Sequence, residues 1–207
     1  MSARVEPVSE ALLVQRVVEL VLIGGRAGTP VRLLVDGHPS THPERLADAL
    51  VVPLEAAGRP VARVSVNAYL RPRSLRLERG QENPDSLLDS WIDVGSFNRE
   101  VLDRIVERHE YLPSLRDPDT DRATRAGYQV APPGTVVVLD GALAIGRGLR
   151  TDLSVHLALK PATLRRRTPP GTSWVIPAYE RYALEIDGRP DLTVRVDHPD
   201  RPAVVHR

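Results

Sequence analysis

The chain contains no cysteine, which excludes disulfides, thiolate catalysis and cysteine-ligated metals. Lys160 is the only lysine among 28 basic residues. The rest are arginine, a bias that reflects coding composition more than anion binding. Aromatic side chains are scarce: one phenylalanine, two tryptophans and five tyrosines. Few remain for a ligand once a core is built. The net charge is +1, so the charge balance calls for neither nucleic acid nor an anionic membrane. No apolar run approaches the length needed to span a bilayer. Glu10, Gln15, Arg16 and Glu19 interrupt the first apolar stretch, so no signal peptide is expected. The expectation is a single cytoplasmic domain over the 207 residues, large enough to bury a substantial core.

Hydrophobic periodicity divides the chain into alternating strands and helices. Leu12, Leu13, Val17, Val18, Leu20 and Val21 predict an amphipathic helix over 8–23 that ends at Gly24-Gly25. A strand over Val31–Val35 follows, then a helix over about 43–57 and a second strand over Val61–Val66. Residues 71–95 read as a long irregular excursion. Phe97, Val101, Leu102, Ile105 and Val106 restore helical spacing over 97–108, and a loop rich in Asp and Arg comes next. Thr135 to Gly141 is the most strongly buried strand, a β-branched run suited to a parallel sheet covered on both faces. A strand over Leu153–Leu159, a helix over Pro161–Arg167, a Pro/Gly-rich loop over 168–177, a helix over Ala178–Ile186 and a strand over Leu192–Val196 complete the pattern. Strands alternating with helices predict an α/β fold with a mostly parallel sheet.

Residues 31–50, VRLLVDGHPSTHPERLADAL, have the strand–loop–helix frame of a phosphate-binding loop, G-x-x-x-x-G-K-[ST]. Gly37 is the first glycine. His42 then stands at the second glycine, Pro43 at the lysine and Glu44 at the hydroxyl residue. Each change acts against an anion. Pro39 and Pro43 remove backbone N–H donors, and His42 crowds a position where glycine lets backbone approach phosphate. Pro43 also removes the ammonium, and Glu44 places a carboxylate at a helix N-terminus. The helix start is ordinary in itself. Thr41 and Glu44 fit a capping box, or His42 is the N-cap with Pro43 in the first helical turn. His38 and His42 have i, i+4 spacing, but they straddle Pro39 ahead of the helix and lack a third ligand, so no metal site is expected.

The order of these motifs resembles the uridine kinase family of P-loop kinases, particularly its short bacterial, actinobacterial-type members. The pieces that carry the likeness are the Val35-Asp36-Gly37 entry with its length-matched loop, and Val64-Ser65-Val66-Asn67-Ala68-Tyr69 followed by Arg71-Pro72-Arg73. Asn83-Pro84 to Asp93, Val138-Leu139-Asp140-Gly141, Arg165-Arg166-Arg167, Tyr179-Glu180-Arg181-Tyr182 and the segment 197–202 add to it. The resemblance implies a three-layer α/β/α P-loop kinase-like fold with a lid-like region at about 161–177. It places Asp140 at the carboxylate that helps position Mg²⁺ and Arg165 at the transferring phosphoryl group. Gly37, Ser40, Thr41 and Arg166 fall at the nucleotide, and Tyr69 and Arg71 at the substrate. The base position reads Asn67-Ala68, and neither residue can accept a proton.

Phosphoryl transfer rests on positioning and charge stabilisation, and loss of one electrostatic donor alone often costs ~10²–10³ in rate. The expectation is therefore a degenerate kinase that binds a nucleotide, nucleoside or protein partner without efficient transfer, with ATP and Mg²⁺ bound weakly or not at all. Two alternatives stand beside it. One is an active nucleoside or small-molecule kinase in which Arg45 or Arg165 replaces the lysine. The other is a structural or oligomerisation protein whose cleft is filled by Tyr69, Glu44 and His42. A homo-oligomer is compatible with each.

Overall fold

The computed structural model describes residues 4–25, 28–198 and 201–206. In chain order it comprises β1 (Arg4–Pro7), α1 (Glu10–Gly24), β2 (Val31–Gly37), α2 (Pro43–Ala49), α3 (Val51–Ala56), β3 (Val61–Ser65), α4 (Arg73–Arg76), α5 (Pro84–Ser90) and α6 (Val94–Phe97). There follow α7 (Arg104–Arg108), β4 (Glu110–Tyr111), β5 (Gln129–Val130), β6 (Val136–Gly141), β7 (Leu153–Ala158), α8 (Pro161–Arg167), α9 (Ile176–Glu185), β8 (Leu192–Arg195) and β9 (Ala203–His206).

The main sheet runs β1-β9-β8-β7-β2-β6-β3. The five strands from β8 to β3 are parallel, and the antiparallel pair β9 and β1 extends that sheet at one edge. Alternation along the central strands sorts the core into two layers. Leu33, Val35, Val136 and Val138 face α1, α2 and α3, whereas Leu34, Val137 and Leu139 face Phe97, Val101, Ile105 and Tyr182 on the other side. With both faces covered, the strands carry apolar residues at nearly every position. The predicted three-layer α/β/α fold with a mostly parallel sheet is what the chain adopts.

Local differences have local causes. Helix α1 starts at Glu10 rather than at residue 8, because Ser9 is the N-cap and accepts the Leu12 N–H. The helix expected over 43–57 is two, joined at Leu50; Pro53 has no N–H to give the Ala49 carbonyl, which breaks the ladder there. Residues 71–95 are not wholly irregular, since Asn83 caps α5 by accepting the Ser86 N–H and Asp93 caps α6 by accepting the Ser96 N–H. The helix over 97–108 contains a π-helical stretch at Asn98–Asp103, a feature frequent near functional sites. The loop before β6 carries the short β4–β5 hairpin. Strands β1 and β9 have no sequence-based counterpart in the pattern above. Of the segment 197–202, residues 199 and 200 lie outside the described residues. Among the described residues, no helix is long and apolar enough to cross a membrane.

Candidate functional site

In an open parallel sheet, ligands sit beyond the carboxyl ends of the strands. Register brings four polar residues to that edge: Ser65 on β3 lies beside Asp140 on β6, and Asp36 on β2 lies beside His156 on β7.

The loop after β2 is closed upon itself. His38 caps a 3₁₀ turn over Pro39–Thr41, its Nδ1 accepting the Ser40 N–H at 3.1 Å and meeting Ser40 Oγ at 2.8 Å. The Thr41 N–H donates to the His38 carbonyl, the His42 N–H to that of Pro39 and the Arg45 N–H to that of His42. Pro39 and Pro43 have no N–H to offer. The backbone donors that a phosphate cradle would turn inward are thus largely engaged. The Thr41 hydroxyl donates to the His38 carbonyl at 2.7 Å and lies over Gly37, where an added Cβ would come within 2.5 Å of it. A side chain at position 37 would collide with this internal packing. His42 takes the left-handed conformation, φ 54° and ψ 57°, which glycine adopts freely and a side chain does not. It is the N-cap of α2 and Pro43 is the first helical residue. The capping box does not form, because Glu44 bonds the His42 ring at 2.9 Å instead of reaching back to Thr41. His38 and His42 therefore have different partners and do not converge on a common point.

Asp140 is buried and both its oxygens are occupied. Arg63 Nη2 donates to Oδ1 and the Ser65 hydroxyl to Oδ2, each at 2.9 Å. Arg63 continues to Asp48 Oδ1 at 2.9 Å and to the Val138 carbonyl at 2.9 Å. Asn67 and Ala68, at the base position, lie in a 3₁₀ turn over Val66–Tyr69.

One strand over, Asp36 is fully buried. Its Oδ1 accepts the Ala144 N–H at 2.9 Å, and its Oδ2 meets His156 Nδ1 at 2.8 Å. Tyr182 completes the cluster: its hydroxyl accepts the Ile145 N–H at 2.8 Å. Burial and the nearby Asp36 carboxylate raise the pKa of the Tyr182 phenol, and the same two causes raise that of Tyr179. His38, packed edge-on against Tyr179 with ring centroids 4.6 Å apart, has its pKa lowered to about 4 by burial and, secondarily, by Arg167.

The remaining residues scatter. Tyr69 was expected at the substrate, but its ring is fully buried against Phe97 and its hydroxyl donates to the Leu112 carbonyl at 2.7 Å. It is a core residue. Arg165 pairs with Glu180 at 2.5 Å on the surface, and Arg166 is exposed. Arg167 donates to the Asp197 carbonyl at 2.9 Å. Arg71 is half-buried; its backbone N–H holds the Trp91 carbonyl at 2.8 Å. Glu44 and His42 pair with each other, each about half exposed. With Tyr69 buried against Phe97, the three side chains of the closed-cleft alternative do not meet one another.

Three cavities surround the loop. One of about 330 Å³ is lined by Ser40, Thr41, His42, Arg45 and Arg167. Another of about 300 Å³ reaches His156, Tyr179 and Arg165. A third of about 350 Å³ lies between the ends of β3 and β6, α5 and the turn at 169–175, with Trp91 and Trp174 in its wall.

Most of the backbone superposes on solved structures of kinases and candidate kinases. A possible uridine kinase from Bacillus stearothermophilus aligns with a TM-score of 0.69 at 18% identity, over 87% of this chain and 96% of that one. The fold is that of the P-loop kinases. A candidate fructose transport system kinase from Silicibacter sp. TM1040 aligns with this P-loop kinase fold at a TM-score of 0.57 and 22% identity, covering 87% and 89% of the two chains. D-glycerate 3-kinase from Cryptococcus neoformans var. grubii gives 0.55 at 15% identity, covering 86% and 81%. At the level of sequence, no family model and no curated protein matches the chain.

Asp36, Arg63 and His156 were missed by sequence reasoning. Their partners lie 108 and 120 residues away for Asp36 and 77 for Arg63, and no local spacing announces such pairs.

Proposed function

We propose that this P-loop kinase-like chain is a ligand-binding protein that does not transfer phosphoryl groups. The observation that carries the reading is the self-satisfied loop: the Ser40, Thr41, His42 and Arg45 N–H groups already have protein acceptors, and Pro39 and Pro43 have none to give. A triphosphate would have to break these bonds and face Glu44 without a lysine. Two further features support it. Asp140 is paired with Arg63 and accepts from Ser65, so its charge is already compensated and less available to a hydrated Mg²⁺. Asn67 and Ala68 provide no base.

Calorimetric titration with Mg²⁺·ATP tests the reading, run on the natural chain beside a His42→Gly, Pro43→Lys, Glu44→Thr triple variant. The expected result is no heat from the former and recovered binding in the latter. Tight ATP binding by the natural chain, or turnover abolished by Asp140→Asn, would refute it.

A second reading has its own observation. Arg45 and Arg167 line the 330 Å³ cavity beside the loop, an arrangement in which an anion could be held by arginine in place of lysine. Under that reading ATP turnover would occur and be lost in Arg45→Ala.

A further inference from the structure

We propose that the cavity between the ends of β3 and β6, helix α5 and the turn at 169–175 binds a small, uncharged, planar apolar molecule of about two fused rings. The inference deepens the reading of a non-phosphorylating protein and rests on it for the absence of a phosphorylated substrate there.

The walls select the chemistry. The cavity of about 350 Å³ has no Asp, Glu, Lys or Arg in its lining. Its surface comes mainly from Leu70, Trp91, Ile92, Leu143, Trp174 and Val175. A sugar, polyol or nucleoside acceptor brings several hydroxyl groups, each of which costs free energy when it leaves water without a partner. The polar side chains of the lining are Asn67, Thr172, His38, Tyr179 and the two indole N–H groups against an otherwise apolar wall; His38 Nδ1 is already engaged by Ser40, and Trp91 Nε1 is buried without a partner among the described residues. An anion would meet no cation in the lining, and a cation no carboxylate.

Shape and size narrow the class. The indole rings of Trp91 and Trp174 stand with centroids 6.1 Å apart at 51°, presenting aromatic faces on which a flat ring can pack by offset or edge contact. A dry cavity of ~150 Å³ accepts benzene, so this one has room for two fused rings. Both indoles are half-exposed in the unliganded chain, and covering them with apolar surface is favourable by ~25 cal/mol per Å². Trp174 is carried on a 3₁₀ turn over Pro170–Val175 that is kinked at Thr172, where φ is −122°.

The two tryptophans of the chain both line this cavity, so intrinsic fluorescence reports on it alone. Titration of the full chain with coumarin as the probe is expected to give saturable quenching, with uridine and glycerol giving none. Ala142→Phe, which fills the cavity, and Trp174→Ala, which removes an outer wall, are each expected to weaken binding at least tenfold. Circular dichroism checks that each variant is folded, and Trp174→Ala retains Trp91 as reporter if the cavity-filling variant fails to fold.

Absence of saturable quenching in the natural chain, binding unchanged in a folded Trp174→Ala variant, or preferential binding of uridine would overturn the proposal. A dimer whose formation abolishes coumarin binding would overturn it in favour of a second copy of the chain. The two readings fail separately: a chain that binds coumarin and turns over ATP refutes the loop argument and leaves this site standing, whereas a chain inert to both refutes only the site.

Discussion

Replacing Arg63 by methionine separates a structural carboxylate from a metal-binding one. Asp140 has a side chain only 7% exposed, and its charge is matched by Arg63, 23% exposed. In Arg63→Met the carboxylate keeps one hydroxyl donor, Ser65, and no cation. Breaking a buried pair from one side costs ~3–5 kcal/mol, and the partial exposure of Arg63 puts the expected loss at the lower end, ~3 kcal/mol. For a chain of this length each kcal/mol shifts Tm by ~2–4 °C, so a fall of roughly 6–12 °C is expected. Asp140→Asn is the milder change, ~1–2 kcal/mol, because Arg63 retains Asp48 and the Val138 carbonyl. The Arg63→Met, Asp140→Leu double variant removes the orphaned charge and should be more stable than Arg63→Met alone. Urea unfolding followed by circular dichroism measures all three. If Arg63→Met lies within ~0.5 kcal/mol of the natural chain, or if Asp140→Asn is the more damaging of the two, the carboxylate is not held as argued.

Gly37→Ala should destabilise by ~1–3 kcal/mol through overpacking, since the new Cβ would meet Thr41 Oγ1 at 2.5 Å and Leu157 Cβ at 3.0 Å. Adding Thr41→Ala should restore part of the loss, and additive effects in denaturant would show that the loop is not self-packed. His38 titrates at about 4 in the folded chain, below the ~6.5 of an exposed imidazole. The unfolded chain therefore takes up this proton first, and stability declines as pH falls from about 6.5 to about 4. His38→Asn should flatten stability in that window, and an unchanged pH profile would count against the burial argument. Tyr69→Phe leaves the Leu112 carbonyl without its donor and should cost ~1–2 kcal/mol while leaving coumarin binding intact; loss of binding without loss of stability would return Tyr69 to the cleft.

The sheet was legible because its signal is local. Val136 to Leu139 must be apolar on both faces to lie between two layers, and the run of β-branched residues says so directly. The loop was equally readable, since the loss of proline N–H donors and the absence of lysine follow from residue identity alone. Tyr69 was misplaced because its position in the motif order says nothing of which way the ring turns; the 3₁₀ turn that starts at Val66 rotates it into the core against Phe97. Asp140 could be placed at a strand end, but its neutralisation by Arg63 depends on β3 pairing beside β6, which strand patterns do not specify. The outer strands β1 and β9 are four residues each, too short for alternation to separate them from loop.

Those two outer strands also bear on the order of folding. Arg4 pairs with His206 and Pro7 with Ala203, the most distant contacts along the chain, so closing that edge carries the largest loop entropy of any pairing in the sheet. The central strands β2, β6 and β7 can assemble without it. The β1–β9 ribbon is therefore expected to form after the central strands, which pulsed hydrogen exchange at Val5 and Val205 would check; until β1 docks, the outer side of β9, whose Val204 belongs to the core, lacks its partner strand.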